Sequence, residues 1–342
     1  MAEHQKLIGQ SSAFLETLER ISMVAPLSKP VLIIGERGTG KEMMVERLHF
    51  LSSRWENVLV KVNCAALPEN LLESELFGYE AGAFTGAGKR HVGRFERAHH
   101  GTLFLDEIAS MSLRLQEKLL RVIEYGEFER VGGDATLTVD VRVVGAANVD
   151  LPAMADRGEF RADLLDRLSF DVITLPPLRY RKEDIPLLAE HFALGMTREL
   201  QRPFFAGFTE QGLEQMQAYP WPGNIRELKN VVERAVYRTV ADEPVSEFEF
   251  NPFASPWQPV AGVEVDELPE ADSAPPVVPE QHISRMNLPV DLKAHIREYE
   301  QDILRKSLES NRFNQRRTAR ALGLTYAQLR GYLKKYGISV KH

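Results

Sequence analysis

The chain has 342 residues, which is more than one hydrophobic core usually holds, so two or three domains are expected. Its hydrophobic fraction of 44% is typical of a soluble globular protein, and no apolar run approaches the roughly 20 residues that span a bilayer. The net charge is −7. The chain has a single cysteine, Cys64, which excludes an internal disulfide. The N-terminus has no signal core, which favours a cytoplasmic protein over a secreted one.

Five short apolar runs in the first 175 residues are predicted to be buried strands. They are rich in Val, Ile and Leu and show no polar alternation, as is typical of a parallel sheet covered on both faces. The runs are residues 31–35, 58–63, 102–106, 141–148 and 170–175. Helical patterns lie between them, for example at residues 41–51 and 113–125. Residues 1–175 are therefore predicted to form an α/β domain with helices on both faces of a parallel sheet.

The strand signals stop after Pro176 and Pro177. Three helices are predicted next, at residues 183–199, 210–217 and 224–237, and they give a small helical domain over residues 176–240. Residues 241–289 hold nine of the 19 prolines, ten acidic residues and one basic residue, and are predicted to be an extended linker. Helical periodicity returns at Leu292, so residues 290–342 are predicted to form a further domain.

The segment GERGTGKE directly follows the first predicted strand and opens a helix. Its glycines allow backbone N–H groups to face phosphate, the helix N-terminus adds partial positive charge, and Lys41 can reach the β and γ phosphates. An ATP site is therefore predicted at Gly35, Glu36, Arg37, Gly38, Thr39, Gly40, Lys41 and Glu42. Glu42 departs from the general pattern, because Ser or Thr usually binds magnesium at this position.

A second element supports this interpretation. The third predicted strand ends in two adjacent carboxylates, Asp106 and Glu107, about 65 residues after Lys41. Asp106 would hold Mg²⁺ directly or through water, and Glu107 would polarise the attacking water. Adjacent acids at a strand end are usually solvated surface groups, but a phosphate loop at this spacing favours hydrolysis of ATP.

The sequence GAFTGA at residues 82–87 lies in a connection that is long for a compact α/β domain and presents Phe84 between small residues. With this motif the sequence resembles the AAA+ ATPases, and specifically the bacterial enhancer-binding activators of sigma-54 RNA polymerase, from about residue 6 to residue 342. The resemblance implies a pore loop that contacts sigma-54, in which Phe84 and Thr85 are central. The loop consists of Gly82, Ala83, Phe84, Thr85, Gly86 and Ala87.

The same resemblance implies further roles at the nucleotide. Arg161 and Arg167 in FRADLLDRL correspond to paired arginine fingers, which act on ATP bound by the neighbouring subunit. Arg226 in WPGNIRELKN corresponds to sensor II and would reach the γ-phosphate of its own subunit. A second pore loop is implied within residues 130–138.

Two asparagines also match family positions. Asn63 corresponds to a switch residue that holds Glu107, and Asn148 corresponds to sensor I. Ala147 stands where the family commonly has Thr, which leaves part of a polar relay in question. Three residues near the N-terminus are expected to line the adenine pocket, namely Leu7, Ile8 and Gly9.

The C-terminal pattern is helix, tight turn, helix, at residues 314–322 and 325–336 with Gly323 between them. Residues 312–342 contain eight Lys or Arg and no acid, which favours DNA as the partner over packing on another protein. Thr325 can cap the second helix. The resemblance implies a Fis-type helix-turn-helix preceded by a dimerising helix at residues 292–308. The candidate DNA contacts are Arg316, Arg317, Thr325, Tyr326, Gln328, Arg330, Lys334 and Lys335.

The phosphate loop begins at residue 35, so no sensory domain is expected before the ATPase, and control is expected to come from another protein or from expression level. Within the family, the sequence resembles the activators of phage shock operons, which implies a negative regulator, phage shock protein A, on the ATPase face. Trp55, at the end of a predicted helix, is either its contact or a packed residue.

The resemblance implies a hexameric ring that uses ATP and Mg²⁺ to remodel a closed sigma-54 promoter complex, is tethered by its tail to an enhancer and does not insert into membranes. Two other classes stay open. One is a AAA+ helicase loader or protein unfoldase that binds DNA, although GAFTGA is not typical of unfoldase pore loops. The other is a repressor with ATP as an allosteric ligand only, which the complete set of hydrolytic residues disfavours.

Overall fold

The structure of the protein, a computed structural model, describes residues 7–253, 300–308, 311, 314–324 and 326–337. The chain divides into two compact units, Met1–Val260 and Ala261–His342. None of the described helices has both the length and the apolar character of a membrane span.

A five-stranded parallel sheet forms the centre of the first unit. Its strands are β1 (Val31–Ile34), β2 (Leu59–Asn63), β3 (Thr102–Asp106), β6 (Arg142–Ala147) and β7 (Val172–Thr174). They lie in the order β2-β3-β6-β1-β7. All five predicted strands are confirmed, and their ends lie within two residues of the predicted ones. A separate antiparallel hairpin consists of β4 (Glu127–Glu129) and β5 (Thr136–Thr138).

Helices cover both faces of this sheet, as predicted. They are α1 (Ser12–Val24), α2 (Lys41–Phe50), α3 (Glu69–Phe77), α4 (Arg94–Arg97), α5 (Leu113–Tyr125), α6 (Leu151–Asp156) and α7 (Ala162–Leu168). Successive side chains of a strand point to opposite faces, so Val31 and Ile33 of β1 join the core beneath α1 and α2. Leu32 joins the other core, beneath α3, α5 and α7. Because both faces are covered, the interior positions of these strands are apolar except for Lys61 of β2, and the other polar residues lie at strand ends.

Arg142, at the start of β6, is a fully buried cation beneath the end of α1. Its guanidinium donates to the carbonyl oxygens of Val24 at 3.0 Å, Ala25 at 2.7 Å and Lys29 at 3.1 Å. The carbonyls of Val24 and Ala25 belong to the C-terminal end of α1, beyond which no further helical N–H groups follow. Burial lowers the pKa of Arg142 to about 10, so the side chain stays charged at neutral pH and fixes α1 against the sheet.

The three predicted lid helices are confirmed as α8 (Asp184–Glu199), α9 (Glu210–Ala218) and α10 (Asn224–Arg238). The lid extends beyond the predicted boundary at residue 240. Val245 is 2% exposed, and the Phe250 ring stacks on Tyr219 with a centroid distance of 4.3 Å. Val245, Phe248 and Phe250 therefore belong to the lid core rather than to a linker. Residues 254–289 of the predicted linker lie outside the described residues.

The described part of the second unit contains a helix–turn–helix. Residues 300–308 are helical (α11) and precede α12 (Gln315–Ala321) and α13 (Tyr326–Lys335). Gly323 has a φ of 63°, in the left-handed region that glycine tolerates, and it makes the predicted tight turn. The buried core consists of Leu304, Leu308, Ala319, Leu329 and Leu333, with Leu322 and Leu324 partly buried against it.

Candidate functional site

The phosphate loop joins the carboxyl end of β1 to the start of α2. The Gly35 N–H donates to a backbone carbonyl of β6 at 3.1 Å, and Thr39 Oγ1 donates to the Glu36 carbonyl at 2.8 Å. Gly38 and Gly40 have φ values of 78° and 95°, which side-chain-bearing residues rarely adopt. A loop of this shape at a helix N-terminus presents backbone N–H groups to an anion.

Lys41 lies between this loop and the predicted acidic pair. Its Nζ donates to the Gly35 carbonyl at 2.8 Å and to the Glu36 carbonyl at 3.2 Å. Burial lowers the pKa of Lys41, whereas the negative charges of Asp106 and Glu107 act in the opposite direction. The fold therefore brings the predicted phosphate-binding lysine and both predicted carboxylates into one site.

Asp106 ends β3, and Glu107 begins the turn that follows it. Burial raises the pKa of Asp106, while a hydrogen bond from the Glu107 N–H to Asp106 Oδ1, at 3.0 Å, opposes that shift. Glu107 has a φ of 52°, and its Oε1 lies 3.9 Å from Arg37 Nε. Left-handed backbone at a residue other than glycine is strained and is typical of functional sites.

The two asparagines lie at this same edge of the sheet. Asn63 pairs in register with Asp106, and its Oδ1 accepts a hydrogen bond from the Ala65 N–H at 2.9 Å. Among the described residues, no hydrogen bond joins Asn63 to Glu107, so the implied switch contact is not made in this structure. Asn148 directly follows β6, and Ala147 before it is fully buried in the core. Position 147 therefore supplies no polar side chain beside Asn148.

The predicted adenine-pocket segment connects the sheet domain to the lid. Leu7 packs against the core beneath α1, and Ile8 packs against the lid core. A methyl group on Gly9 would lie 2.5 Å from the Phe14 ring, so a side chain cannot fit there without movement. The guanidinium carbon of Arg181 in the lid lies 3.9 Å from the centroid of the Phe14 ring, so the two side chains pack together beside Gly9.

The predicted sensor II segment lies directly on the phosphate loop. The Ile225 N–H donates to the Gly38 carbonyl at 3.0 Å, and a methyl group on Gly38 would lie only 2.3 Å from the Gly223 carbonyl. Arg226 is exposed. Burial is the main cause that lowers the pKa of Lys41, and the positive charge of Arg226 lowers it further. The structure thus places Arg226 near Lys41, and its contact with the γ-phosphate stays a prediction.

The two predicted arginine fingers lie at the ends of α7. Arg161 pairs with Asp163 at 2.7 Å, and Arg167 pairs with Glu124 at 2.5 Å. Their side chains are 35% and 57% exposed, so both are accessible to another molecule. They pair with carboxylates of their own chain, and reaching a neighbouring subunit would require exchanging these partners.

Two cations at the loop were not found by sequence reasoning. Lys61 of β2 donates to Glu42 Oε1 at 2.8 Å, so the acid that replaces the usual Ser or Thr is neutralised by an ion pair. Arg179 donates two hydrogen bonds to the Glu36 carboxylate, at 2.9 and 2.6 Å. No local motif indicates either pair, because Lys61 follows Glu42 by 19 residues and Arg179 follows Glu36 by 143.

The GAFTGA segment forms a compact turn at the surface. The Gly82 N–H donates to the Ala87 carbonyl at 2.8 Å, and Gly82 and Gly86 have φ values of 87° and 104°. Phe84 is 45% exposed, and one edge of its ring packs on Tyr79 with a centroid distance of 5.0 Å. The predicted exposure of Phe84 is confirmed, and almost half of the side chain is open to solvent.

This segment contacts the β4–β5 hairpin, which carries the predicted second loop. The Glu80 N–H donates to the Val131 carbonyl at 3.1 Å, and a methyl group on Gly132 would lie 2.6 Å from Ala83 Cβ. Arg130, almost fully buried, pairs with Glu80 at 2.6 Å and with Glu96 at 2.5 Å. The bases of the two loops are therefore held together as one structural element.

Trp55 lies in the turn between α2 and β2 and is 53% exposed. Its ring is 6.1 Å from the exposed Phe50 ring, at an angle of 55°. His49, which precedes Phe50, is buried. Its Nδ1 forms a hydrogen bond with Thr102 Oγ1 at 2.9 Å, and its Nε2 lies 3.2 Å from the Asn57 carbonyl oxygen. The turn is thus fixed to β3 while its aromatic residues stay open to solvent.

The predicted DNA-contacting residues group on α13 and the start of α12. Those whose side chains are described are exposed, namely Arg317, Tyr326, Gln328, Arg330, Lys334 and Lys335. Lys335 lies over the Tyr336 ring at 4.6 Å and 3.7 Å from Glu300 Oε2, so part of its charge is matched within the unit. Thr325 and the side chain of Arg316 lie outside the described residues.

Three family profiles match the three parts of the chain. The Sigma-54 interaction domain matches residues 7–174, the AAA+ ATPase lid domain residues 179–251, and the Bacterial regulatory protein, Fis family, residues 295–336. The Psp operon transcriptional activator of Escherichia coli (strain K12) is 56% identical across 99% of this chain and 100% of that protein. The chain belongs to the sigma-54-dependent AAA+ transcriptional activators.

Other relatives match nearly the whole chain. Regulatory protein AtoC of Escherichia coli (strain K12) is 43% identical over 97% of this chain and 68% of its own length. The crystal structure of NtrX from Brucella abortus in complex with ATP is 33% identical, with a TM-score of 0.66 over 97% of this chain and 70% of that one. The predicted α/β AAA+ fold, helical lid and Fis-type helix-turn-helix are confirmed.

Proposed function

We propose that this activator hydrolyses ATP and uses the resulting motion to remodel a closed sigma-54 promoter complex to the open form. One observation carries the proposal: the Lys41–Asp106–Glu107 site and the exposed GAFTGA turn belong to the same sheet domain. The relation to the Psp operon activator and to the ATP complex of NtrX supports ATP as the nucleotide and a phage shock operon as the target.

In the proposed mechanism, Lys41 moves from the loop carbonyls to the β and γ phosphates and offsets their charge. Glu107 accepts a proton from the attacking water, and Arg226 holds the γ-phosphate of its own subunit. Among the described residues, no group of three or more His, Cys, Asp or Glu lies together to hold a metal, so Mg²⁺ would bind Asp106, directly or through water, together with phosphate oxygens. When bound, Mg²⁺ neutralises charge on the phosphates.

Completion of the site requires a second subunit. The exposed Arg161 and Arg167 would leave Asp163 and Glu124 and reach the nucleotide of a neighbour, where they stabilise charge in the transition state. On this basis we propose that the subunits assemble into a ring, with six subunits as the family resemblance implies. The Fis-type unit would tether the ring to enhancer DNA through α13, and the assembly would act in the cytoplasm, where promoter DNA is found.

The test is open-complex formation on a sigma-54 promoter, followed by permanganate reactivity of unpaired thymines, with and without ATP. The proposal requires opening with ATP and none without it. A protein that hydrolyses ATP but unfolds other proteins instead, or that binds DNA and leaves the promoter closed, would refute the proposal.

Replacing Phe84 with Ala is expected to lower open-complex formation by about tenfold or more, because an aromatic anchor often contributes most of the binding energy of a protein–protein interface. The ATP turnover rate should stay near the wild-type value, since Phe84 contacts Tyr79 and no residue of the nucleotide site. Phe204→Ala, at an exposed lid residue, is the matched control and should change neither quantity. Normal promoter opening by Phe84→Ala would contradict the assignment.

The exposed Phe50 and Trp55 rings support binding of a negative regulator, proposed to be phage shock protein A. Trp55→Ala should weaken inhibition of ATP turnover by this regulator by about tenfold, as is usual for a Trp at an interface centre. Titration of the regulator against the variant and against Phe204→Ala measures the effect. A Trp55→Ala protein that is still fully inhibited would exclude this surface as the contact.

A further inference from the structure

The carboxylate of Glu36 is the point at which the phosphate loop meets the lid. Arg179 donates to both of its oxygens, at 2.9 and 2.6 Å, and Asn224 Nδ2 donates to Oε2 at 3.1 Å. The hydrogen bonds from Arg179, followed by the one from Asn224, hold the pKa of Glu36 at about 2. The carboxylate is therefore ionised at every physiological pH.

Its two partners come from different parts of the lid. Arg179 lies in the 3₁₀ turn Leu178–Tyr180, which connects β7 to the first lid helix. Asn224 is the first residue of α10, is fully buried and has a φ of 53°, a strained conformation. Its Oδ1 accepts from the Leu178 N–H at 2.8 Å, so the turn and α10 are also joined to each other.

This contact sets the position of the sensor II arginine. Arg226 lies two residues after Asn224 on the same helix, and the intervening Ile225 N–H donates to the Gly38 carbonyl at 3.0 Å. Asn224 Nδ2 also donates to the Arg37 carbonyl at 3.0 Å. The first turn of α10 is thus fixed to the phosphate loop, and the Glu36 carboxylate is the charged group in that contact.

We propose that Glu36 is a positioning residue: through Arg179 and Asn224 it holds the lid against the phosphate loop and so places Arg226 on the nucleotide. This rests on the proposed ATP site. Glu36 and Arg179 are 39% and 38% exposed, and an exposed pair contributes little to stability, so its role is to orient the lid rather than to maintain the fold.

The test is a double-mutant cycle in the full chain, with affinity measured for a fluorescent non-hydrolysable ATP analogue. Glu36→Ala and Arg226→Ala should each weaken binding by about fivefold or more, and the double variant should bind no more weakly than Arg226→Ala, as for residues of one network. If the loss of affinity in the double variant equals the product of the two single losses, the proposal is overturned. Glu36→Gln should give an intermediate loss, because Gln can still accept from Asn224.

Three further variants make the result decisive. Arg179→Gln removes the same ion pair without altering the phosphate loop and should give an intermediate loss like that of Glu36→Gln, because Asn224 can still donate to Glu36; wild-type binding would overturn the proposal. Glu159→Ala, which breaks the exposed Arg157–Glu159 pair, is the matched control and should bind normally. Lys41→Ala tests the ATP site itself: wild-type affinity there refutes the proposed function, whereas loss there with normal Glu36→Ala binding refutes only the role of Glu36.

Discussion

Replacing Glu107 with Gln is expected to lower the ATP turnover rate by about 10²- to 10⁴-fold, the usual contribution of a general base. Gln has nearly the same shape but cannot take a proton from water. ATP affinity should be unchanged, because the residues that hold the phosphates, including Lys41, are not altered. Phosphate release under saturating ATP measures turnover, and a fluorescent ATP analogue measures binding.

The same substitution at Glu214, an exposed carboxylate on lid helix α9, is the matched control and should leave both quantities unchanged. A Glu107→Gln protein that hydrolyses ATP at the wild-type rate would remove Glu107 from the mechanism. A variant that loses affinity and turnover together would instead show that Glu107 holds the loop, through its contact with Arg37.

Replacing Asp184 with Ala is expected to lower the free energy of unfolding by about 3–5 kcal/mol, the usual result of breaking a buried ion pair. Asp184 is fully buried and accepts from Arg181 Nε at 2.8 Å, from Ser11 Oγ at 2.7 Å and from the Gln10 N–H at 2.6 Å. At about 2–4 °C per kcal/mol for a domain of this size, the melting temperature should fall by about 6–20 °C.

The pH dependence of this loss has a defined sign. Burial raises the pKa of Asp184, but hydrogen bonds from Ser11, Gln10 and Arg181 outweigh it and hold the pKa below its usual value. The stability advantage of the wild type should therefore be complete at neutral pH and decrease as the pH falls below about 3.9, the pKa of Asp in an unfolded chain.

Asp140→Ala is the matched control for this measurement. Asp140 pairs with Arg54 at 2.6 Å but is 57% exposed, so its loss should change the free energy of unfolding by no more than about 1 kcal/mol. Equal destabilisation by the two variants would mean that the Asp184 network contributes no more than a surface pair.

The sheet and the nucleotide site could be predicted because their signals are local. A buried parallel strand needs a continuous apolar run, and the phosphate loop needs glycines and Lys41 at fixed spacing. The β4–β5 hairpin was missed as secondary structure because its strands have three residues each and contain Glu and Thr.

Contacts between distant parts of the chain were also missed. Ser11 bonds to Asp184 across 173 residues, and nothing near either residue in the sequence indicates the pair. The lid boundary at residue 240 was placed too early for a related reason. The following residues are rich in proline and acids, which predicts a linker. Val245, Phe248 and Phe250 pack into the lid core, but the aromatic surface that they cover is not visible in the local sequence.

That aromatic surface has a practical consequence for biochemistry on the ATPase region. Phe250 stacks on Tyr219 and lies 5.7 Å from the Trp221 ring, which is fully buried. A recombinant fragment or protease product that stops at residue 240 would uncover these rings, and exposed apolar surfaces of this kind promote aggregation. A fragment intended for crystallisation or kinetics therefore has to extend past Phe250.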